Sequence, residues 1–144
     1  FRSSKQEIKE ERKMFEGDPL IKGRLKERMR EILTRNLAVT VPKADVVVTN
    51  PTHYAIALEF DPRTMAVPSI SAKGTDEMAL RIRSIARDSG VPVIENRPLA
   101  RALYADADVG DAVPEQYYDA IAKLLAHVAK IDKRVAAKFA AMNA

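Results

Sequence analysis

The fold of this chain is decided by the stretch Val46-Val47-Val48-Thr49-Asn50-Pro51-Thr52-His53-Tyr54. Its first four residues are β-branched, and apolar side chains then occupy every second position from Tyr54 to Phe60. Both patterns are typical of β-strands. The Asn-Pro pair between them predicts a turn. We therefore expect strands over residues 45–49 and 53–60, joined as a hairpin.

The Asn50–Pro51 peptide bond in this turn is also chemically distinctive. Asparagine usually reacts when the backbone nitrogen of the next residue attacks its side-chain carbonyl. Proline has no N–H, so this reaction cannot occur at Asn50. The side-chain nitrogen of Asn50 can instead attack its own backbone carbonyl, form a five-membered succinimide and expel Pro51. Such a reaction requires an oriented side chain, a donor for the oxyanion and proton transfer. On its own, an Asn-Pro pair is far more often a plain hairpin turn.

The residues around the turn supply candidates for assistance. His53 is the nearby side chain that titrates near neutral pH, and we expect it either to carry a proton or to stabilise the turn. The hydroxyl groups of Thr49 and Thr52 are candidates for orienting the amide. The predicted self-cleavage set is therefore Asn50, Pro51, Thr52 and His53. The reaction would be a single intramolecular event, so the protein is not predicted to be an enzyme that turns over an external substrate.

This motif and its flanks resemble the self-cleavage region of the FlhB/YscU family, the export-switch proteins of flagellar and type III secretion systems. The resemblance extends over about positions 5 to 132 and is closer to the flagellar branch than to the virulence homologues. Further segments that carry it are Glu16-Gly17-Asp18-Pro19, Ala72-Lys73-Gly74, Ala79-Leu80-Arg81-Ile82-Arg83, Gly90-Val91-Pro92-Val93 and Pro98-Leu99-Ala100-Arg101-Ala102-Leu103-Tyr104.

The resemblance implies that the domain cleaves itself between Asn50 and Pro51 and controls the switch of export from rod and hook proteins to filament proteins. The implied partners are a companion export-gate protein, a hook-length control protein and exported rod and hook subunits. The implied location is the cytoplasmic face of the bacterial inner membrane. Because the chain opens on Phe1, we expect it to be a fragment. The resemblance implies that the missing N-terminal part is a transmembrane domain. The alternative is a passive docking module of a type III virulence system, in which cleavage is incidental.

Composition narrows the remaining function classes. The chain has 144 residues and no cysteine, so no disulfide framework is expected. The two histidines, His53 and His127, are far apart, and we predict neither a metal site nor a cofactor. Lys73-Gly74-Thr75 lacks the rest of a phosphate-binding loop, which argues against a nucleotide-binding enzyme. No apolar window is long enough to span a membrane.

Charge is unevenly distributed along the chain. Residues 1–36 contain 11 Lys/Arg and 7 Asp/Glu, whereas residues 37–144 contain 13 of each. A basic segment is compatible with an anionic membrane surface, with nucleic acid or with a solvated helix. Aromatic residues are not interleaved with the basic ones, so we do not expect nucleic-acid binding. Arg81, Arg83 and Arg87 are predicted to form a solvated helix face.

The predicted fold is α/β, with a small central sheet of about four strands surrounded by helices. We expect a helical juxtamembrane linker over residues 1–36, the α/β domain over 37–132 and a C-terminal tail over 133–144. Ile21, Leu25 and Met29 mark a narrow apolar stripe in the linker. Within the domain, a helix capped by Thr75 should end at Gly90 before a strand over 91–96.

A long helix is predicted from Pro114 to about residue 140. Its apolar arc is wider than one buried face requires, because Tyr118, Ala122 and Leu125 form a second stripe beside the first. One interpretation is a helix wedged between two layers. The other is that this stripe, with Val67 and Pro68, forms a docking surface for a short export signal.

Overall fold

The structure is a computed structural model that describes residues 18–51 and 53–142. The chain divides into two compact units, with the boundary between Asn36 and Leu37. Helix α1 spans Pro19–Thr40 and is followed by a 3-10 turn, Val41–Lys43. Asp18 caps α1 by accepting a hydrogen bond from the backbone N–H of Leu20 at 2.9 Å. The first part of the predicted linker, residues 1–17, lies outside the described residues.

The predicted apolar stripe of the linker helix is exposed to solvent. Ile21, Leu25 and Met29 are 42%, 61% and 54% exposed, and Leu37 is the buried residue of α1. Within the described ranges, no helix combines the length and the apolar character that crossing a bilayer requires.

Four strands form a single sheet in the order β3-β2-β1-β4. They are β1 (Val46–Asn50), β2 (Tyr54–Glu59), β3 (Ser69–Thr75) and β4 (Val93–Glu95). Strand β1 pairs antiparallel with β2, placing Asn50 opposite Tyr54, and parallel with β4. The predicted hairpin and the predicted α/β fold with about four strands are therefore confirmed.

Both faces of β1 are buried, which explains its unbroken run of valines. Successive side chains of a strand point to opposite faces. Val46 and Val48 pack into a cluster with Ile56, Leu58 and Leu103, whereas Val47 packs into a second cluster on the other face. All three valines have no solvent exposure. A strand covered on both faces needs apolar residues at consecutive positions.

Helices cover the two faces of the sheet. The bounds are α2 Asp76–Asp88, α3 Arg97–Asp106, α4 Tyr118–Ile131 and α5 Lys133–Met142. Helix α2 supplies Ala79, Ile82 and Ala86 to the cluster that contains Val47. Helices α3, α4 and α5 contribute to the cluster that contains Val46 and Val48. Gly90, at φ +73°, ends the α2 segment as predicted.

The prediction of one long helix from Pro114 to about residue 140 is wrong. A 3-10 turn, Glu115–Tyr117, precedes α4, and the chain breaks at Asp132 before α5. The Asp132 carboxylate accepts hydrogen bonds from the N–H groups of Arg134 and Val135, at 2.9 and 3.4 Å. Aspartate is a favoured N-cap, so this residue starts a new helix. The predicted tail at 133–144 thus contains α5, whose Val135 is buried.

An ion pair ties α5 to the start of β1. Lys138 Nζ lies 2.6 Å from Asp45 Oδ1 and donates to the Phe60 carbonyl oxygen at 2.7 Å. The Phe60 N–H in turn donates to Asp45 Oδ2 at 2.6 Å. Asp45 is buried, so its carboxylate depends on these two partners to replace water.

Gly74 sets the separation between β3 and α2. A Cβ atom at this position would lie 2.8 Å from Met78 Cβ and 3.2 Å from Ile82 Cδ1. The absence of a side chain therefore allows α2 to pack closely against the strand from which it emerges.

We expect Gly74→Ala to lower the free energy of unfolding by about 1–3 kcal/mol, because the added methyl group forces neighbouring atoms apart. Urea denaturation measures this change. Gly23→Ala on α1 is the matched control, since a Cβ atom added there would have no heavy atom within 4 Å, and it should not destabilise the protein. Equal stability of Gly74→Ala and the wild type would contradict the close-packing account.

We expect Lys138→Met to lower the free energy of unfolding by about 1–3 kcal/mol, because the buried Asp45 carboxylate loses its cationic partner. Lys123→Met removes an exposed pair with Asp119 on α4 and should change stability by less than about 0.5 kcal/mol. Both variants are compared with the wild type by urea denaturation. Indistinguishable losses in the two variants would show that the Asp45 pair is not stabilising.

Candidate functional site

The predicted self-cleavage residues lie in the tight turn between β1 and β2. Asn50 ends β1, Tyr54 begins β2, and Pro51 and His53 lie in the connection. Asn50 and Pro51 are half-buried and His53 is exposed. Thr52 lies outside the described residues. The structure thus places Asn50, Pro51 and His53 together in the turn at one end of the two central strands.

The backbone carbonyl of Asn50 already has a hydrogen-bond donor. The N–H of His53 donates to this oxygen at 2.9 Å. In the predicted reaction, this is the carbonyl that is attacked, and its oxygen acquires negative charge in the transition state. A fixed backbone N–H at this distance is the type of donor found in oxyanion holes. The sequence prediction required such a donor but did not identify the His53 backbone.

The strand that leads into the turn is held on both sides. Thr49 is buried and lies opposite Ala55 in β2 and Glu95 in β4. Its carbonyl oxygen also accepts a hydrogen bond from the N–H of Asn96 at 3.0 Å. Asn50 therefore leaves a fixed strand immediately before the proline.

The junction of β3 and α2 holds the other side of the turn. The N–H of Asp76 donates to the carbonyl oxygen of His53 at 3.1 Å. The guanidinium of Arg83 donates from Nη1 to the carbonyl oxygen of Pro51 at 2.5 Å. The prediction that Arg83 belongs to a solvated helix face is therefore wrong. Its spacing of four residues from buried Ala79 is the sequence signal that places it beside the packed side of the helix.

His53 has a carboxylate neighbour at the solvent edge of the site. Its Nδ1 lies 3.7 Å from Asp76 Oδ1, and the two side chains are 66% and 79% exposed. A contact this open to water contributes little to stability. Asp76 also has a φ of +47°, a strained value for a residue other than glycine. The His53 imidazole therefore lies on the solvent side of the turn.

A second candidate site is an apolar groove on the same compact unit. Val67, Pro68, Tyr118, Ala122 and Leu125 all line one cavity of about 200 Å³. The structure therefore brings together the five residues singled out from the sequence. The remaining lining residues are Phe60, Ala66, Val113, Ile121, Ala126, Phe139 and Met142. Phe139 and Met142 belong to α5, and they were not among the predicted docking residues because residues 133–144 were assigned to a tail outside the domain.

The loop that forms one wall of the groove is fixed by local hydrogen bonds. Asp61 accepts hydrogen bonds from the side chain and the backbone N–H of Arg63, and these bonds lower the pKa of its carboxyl group. The Pro68 carbonyl oxygen accepts a hydrogen bond from Val113 N–H at 2.9 Å. The cavity is smaller than the roughly 300 Å³ at which small-molecule sites begin, so it suits an apolar side chain of a peptide.

The described residues contain no group of three or more His, Cys, Asp or Glu side chains arranged to hold a metal ion. His127 lies exposed on α4, far along the chain from His53.

Known proteins are similar to this chain in sequence and in fold. Residues 1–128 match a family model described as the FlhB HrpN YscU SpaS Family. The flagellar biosynthetic protein FlhB of Bacillus subtilis is 52% identical over 135 residues, which are 94% of this chain and 38% of that protein. FlhB of Borreliella burgdorferi is 50% identical over 134 residues, 93% of this chain and 36% of that protein.

Solved structures agree with the family match. The crystal structure of the cytoplasmic domain of FlhB from Shewanella putrefaciens has a TM-score of 0.63 and 39% identity, covering 66% of this chain and 73% of that chain. A variant of the EscU C-terminal domain has a TM-score of 0.62 and 36% identity, and the match covers 66% of this chain and 87% of that chain.

The fold and the turn thus define an α/β domain of the type found in the cytoplasmic part of FlhB and the C-terminal part of EscU. The chain belongs to the FlhB/HrpN/YscU/SpaS family, as the motif resemblance predicted. It spans little more than a third of the length of the curated FlhB relatives that it matches.

Proposed function

We propose that this domain cleaves its own backbone once, between Asn50 and Pro51, as part of a flagellar export apparatus. The cleavage would control the switch of exported substrates from rod and hook proteins to filament proteins. The observation that supports self-cleavage most directly is the turn itself, in which the carbonyl of Asn50 accepts a hydrogen bond from the His53 N–H.

The reaction is an intramolecular acyl transfer. The side-chain nitrogen of Asn50 forms a bond to its own backbone carbonyl carbon, and the C–N bond to Pro51 breaks. One proton leaves the amide nitrogen and one reaches the departing proline nitrogen, with His53 as the proton carrier. The products are a chain ending in a succinimide and a chain starting at Pro51. Hydrolysis of the succinimide later adds one water.

Two features of the turn would lower the free-energy barrier to cleavage. Cleavage within minutes corresponds to a barrier of roughly 21 kcal/mol. The His53 N–H stabilises the developing oxyanion. The paired strands β1 and β2 hold both ends of the turn, which reduces the entropy lost in reaching a reactive arrangement.

The two products should remain associated after cleavage. Strands β1 and β2 are paired from Val46–Leu58 to Asn50–Tyr54 and are buried in the same clusters. Separating them would expose a large apolar area, whereas cutting the turn removes few contacts. Cleavage therefore changes the structure only locally, at the new N-terminus formed by Pro51.

The setting of this reaction is proposed from the relatives. The flagellar names of the FlhB relatives and the cytoplasmic domain from Shewanella putrefaciens support a place in an export apparatus. The domain would stand at the cytoplasmic face of the inner membrane, after a transmembrane part of the whole protein. Its partners would be a companion export-gate protein, a hook-length control protein and exported rod and hook subunits.

A second candidate function is passive docking of export substrates and gate partners in a type III secretion system, with cleavage incidental. The apolar groove favours a docking role, because Val67 and Pro68 from one loop and Tyr118 and Ala122 from α4 line the same preformed cavity. A short segment with one or two apolar side chains could bury them there. Normal export switching by a folded, uncleaved Asn50→Ala protein would favour passive docking over control of the switch by cleavage.

We expect mass spectrometry of the denatured protein to detect two chains, residues 1–50 and 51–144. Their masses should sum to that of the intact chain, or exceed it by one water after succinimide hydrolysis. Asn50→Ala should remain intact because it lacks the nucleophile. Pro51→Ala restores a backbone N–H after Asn50, so it should shift the chemistry from cleavage towards deamidation of Asn50. Persistence of one intact mass in the folded wild type at neutral pH would refute self-cleavage.

We expect Ala122→Glu to weaken binding of a rod or hook subunit by about tenfold or more, because a carboxylate enters an apolar groove. Ala122 is exposed, so the fold should be retained. Ala137→Glu is the matched control on an exposed position of α5 that does not line the groove. Isothermal titration measures both affinities. Equal affinities for the two variants would exclude the groove as the docking site.

A further inference from the structure

Arg83 is a charged residue directed towards the turn rather than towards water. Its Nη1 donates to the carbonyl oxygen of Pro51 at 2.5 Å. Its Nε is buried and has no hydrogen-bond partner in the part of the chain that the structure describes. Burying a guanidinium nitrogen without a partner is unfavourable. The short, charge-assisted bond to Pro51 is the contact that offsets this cost.

The bond to Pro51 restricts the peptide group that would be cut. The pyrrolidine ring locks φ of Pro51 near −65°, and the Asn50–Pro51 bond is planar. When the Pro51 carbonyl is fixed, the Pro51 nitrogen, which is the leaving group, therefore has little freedom to move relative to the Asn50 carbonyl carbon. On the other side, the Asn50 carbonyl oxygen is held by the His53 N–H. The scissile peptide is thus restrained from two directions, by α2 and by the turn itself.

We propose that Arg83 is a positioning residue for self-cleavage at Asn50–Pro51, acting through the Pro51 carbonyl. This proposal rests on the self-cleavage described above. Arginine stays protonated at all relevant pH values, so Arg83 is not the group that moves protons. Its contribution is orientation of the leaving proline, and a misplacement of about 1 Å in such an arrangement can slow a reaction by about 100-fold.

The same contact has a consequence after the cut. Cleavage turns the Pro51 nitrogen into a secondary amine that is protonated at neutral pH. This cation arises within the residue whose carbonyl binds the Arg83 guanidinium, so two positive charges come to lie close together. The contact that holds the turn before cleavage is therefore weakened by the reaction that it promotes, which favours release of Pro51 from α2.

The test follows cleavage of freshly synthesised chain over time. Cell-free synthesis with radioactive methionine, stopped in denaturant at intervals, gives the fraction cut. Arg83→Met removes the charge and the donors but keeps an unbranched side chain, whereas Arg83→Lys keeps the charge and one donor group. Arg87→Met, at an exposed position of the same helix, is the matched control, and Asn50→Ala defines zero cleavage.

We expect Arg83→Met to cleave about tenfold or more slowly, Arg83→Lys to recover part of the rate, and Arg87→Met to match the wild type. The pH dependence of cleavage should keep its shape in both Arg83 variants, because the proton carrier is unchanged. Urea denaturation shows whether each variant is folded. A folded Arg83→Met protein that cleaves at the wild-type rate would overturn the proposal.

If Arg83→Met does not fold, Arg83→Lys tests the proposal instead. A folded Arg83→Lys protein that is slower than Arg87→Met, with an unchanged pH profile, supports a positioning role. A folded Arg83→Lys protein with the wild-type rate overturns it. Failure of the wild type itself to cleave would instead refute the proposed self-cleavage and is recognised separately, since every variant would then resemble Asn50→Ala.

Discussion

The double pairing of β1 is the constraint on which the rest of the structure depends. This strand is hydrogen-bonded to β2 on one edge and to β4 on the other, and its valines are buried on both faces. It consequently has almost no freedom along its length. The chain must then reverse direction immediately after Asn50. Because a rigid strand is followed directly by a sharp turn, the conformation around the Asn50–Pro51 peptide bond is tightly restrained.

Three different parts of the fold meet at this turn. The turn contributes the His53 N–H, the β3–α2 junction contributes the Asp76 N–H, and α2 contributes the Arg83 guanidinium. Gly74 permits the close approach of α2 that brings the last two within reach. Functional groups on a loop that is positioned by a rigid scaffold are a common arrangement in proteins. Here the loop is also the proposed substrate, so the restraints act on the bond that breaks.

The C-terminal helix α5 relates the groove to the same central strand. Phe139 and Met142 line the cavity, and Lys138, next to Phe139, pairs with Asp45 directly before β1. The buried carboxylate favours the docked position of α5, because leaving it without a cation would be costly. The shape of the groove therefore depends on a helix that is fastened at the start of the strand that ends at Asn50.

Local patterns in the sequence determined the elements of this protein: the hairpin around Asn50-Pro51, the strands on either side, the Gly90 stop and the motif that indicates the family. These features depend on residues close together in the chain, where periodicity and turn chemistry act directly. The break at Asp132 is also a local feature, because aspartate is a favoured N-cap residue at the start of a helix. The sequence prediction followed the apolar pattern instead and continued one helix through this position.

Only the tertiary structure decided which distant groups surround the turn and which helix completes the groove. The roles of Arg83, Asp76 and Lys138 result from contacts between residues far apart in sequence, and no period along the chain encodes such a contact. The His53 backbone donor depends on turn geometry, because every residue except proline offers the same N–H. The sequence therefore identified the bond that is proposed to break, and packing of α2 against the hairpin determined what holds it.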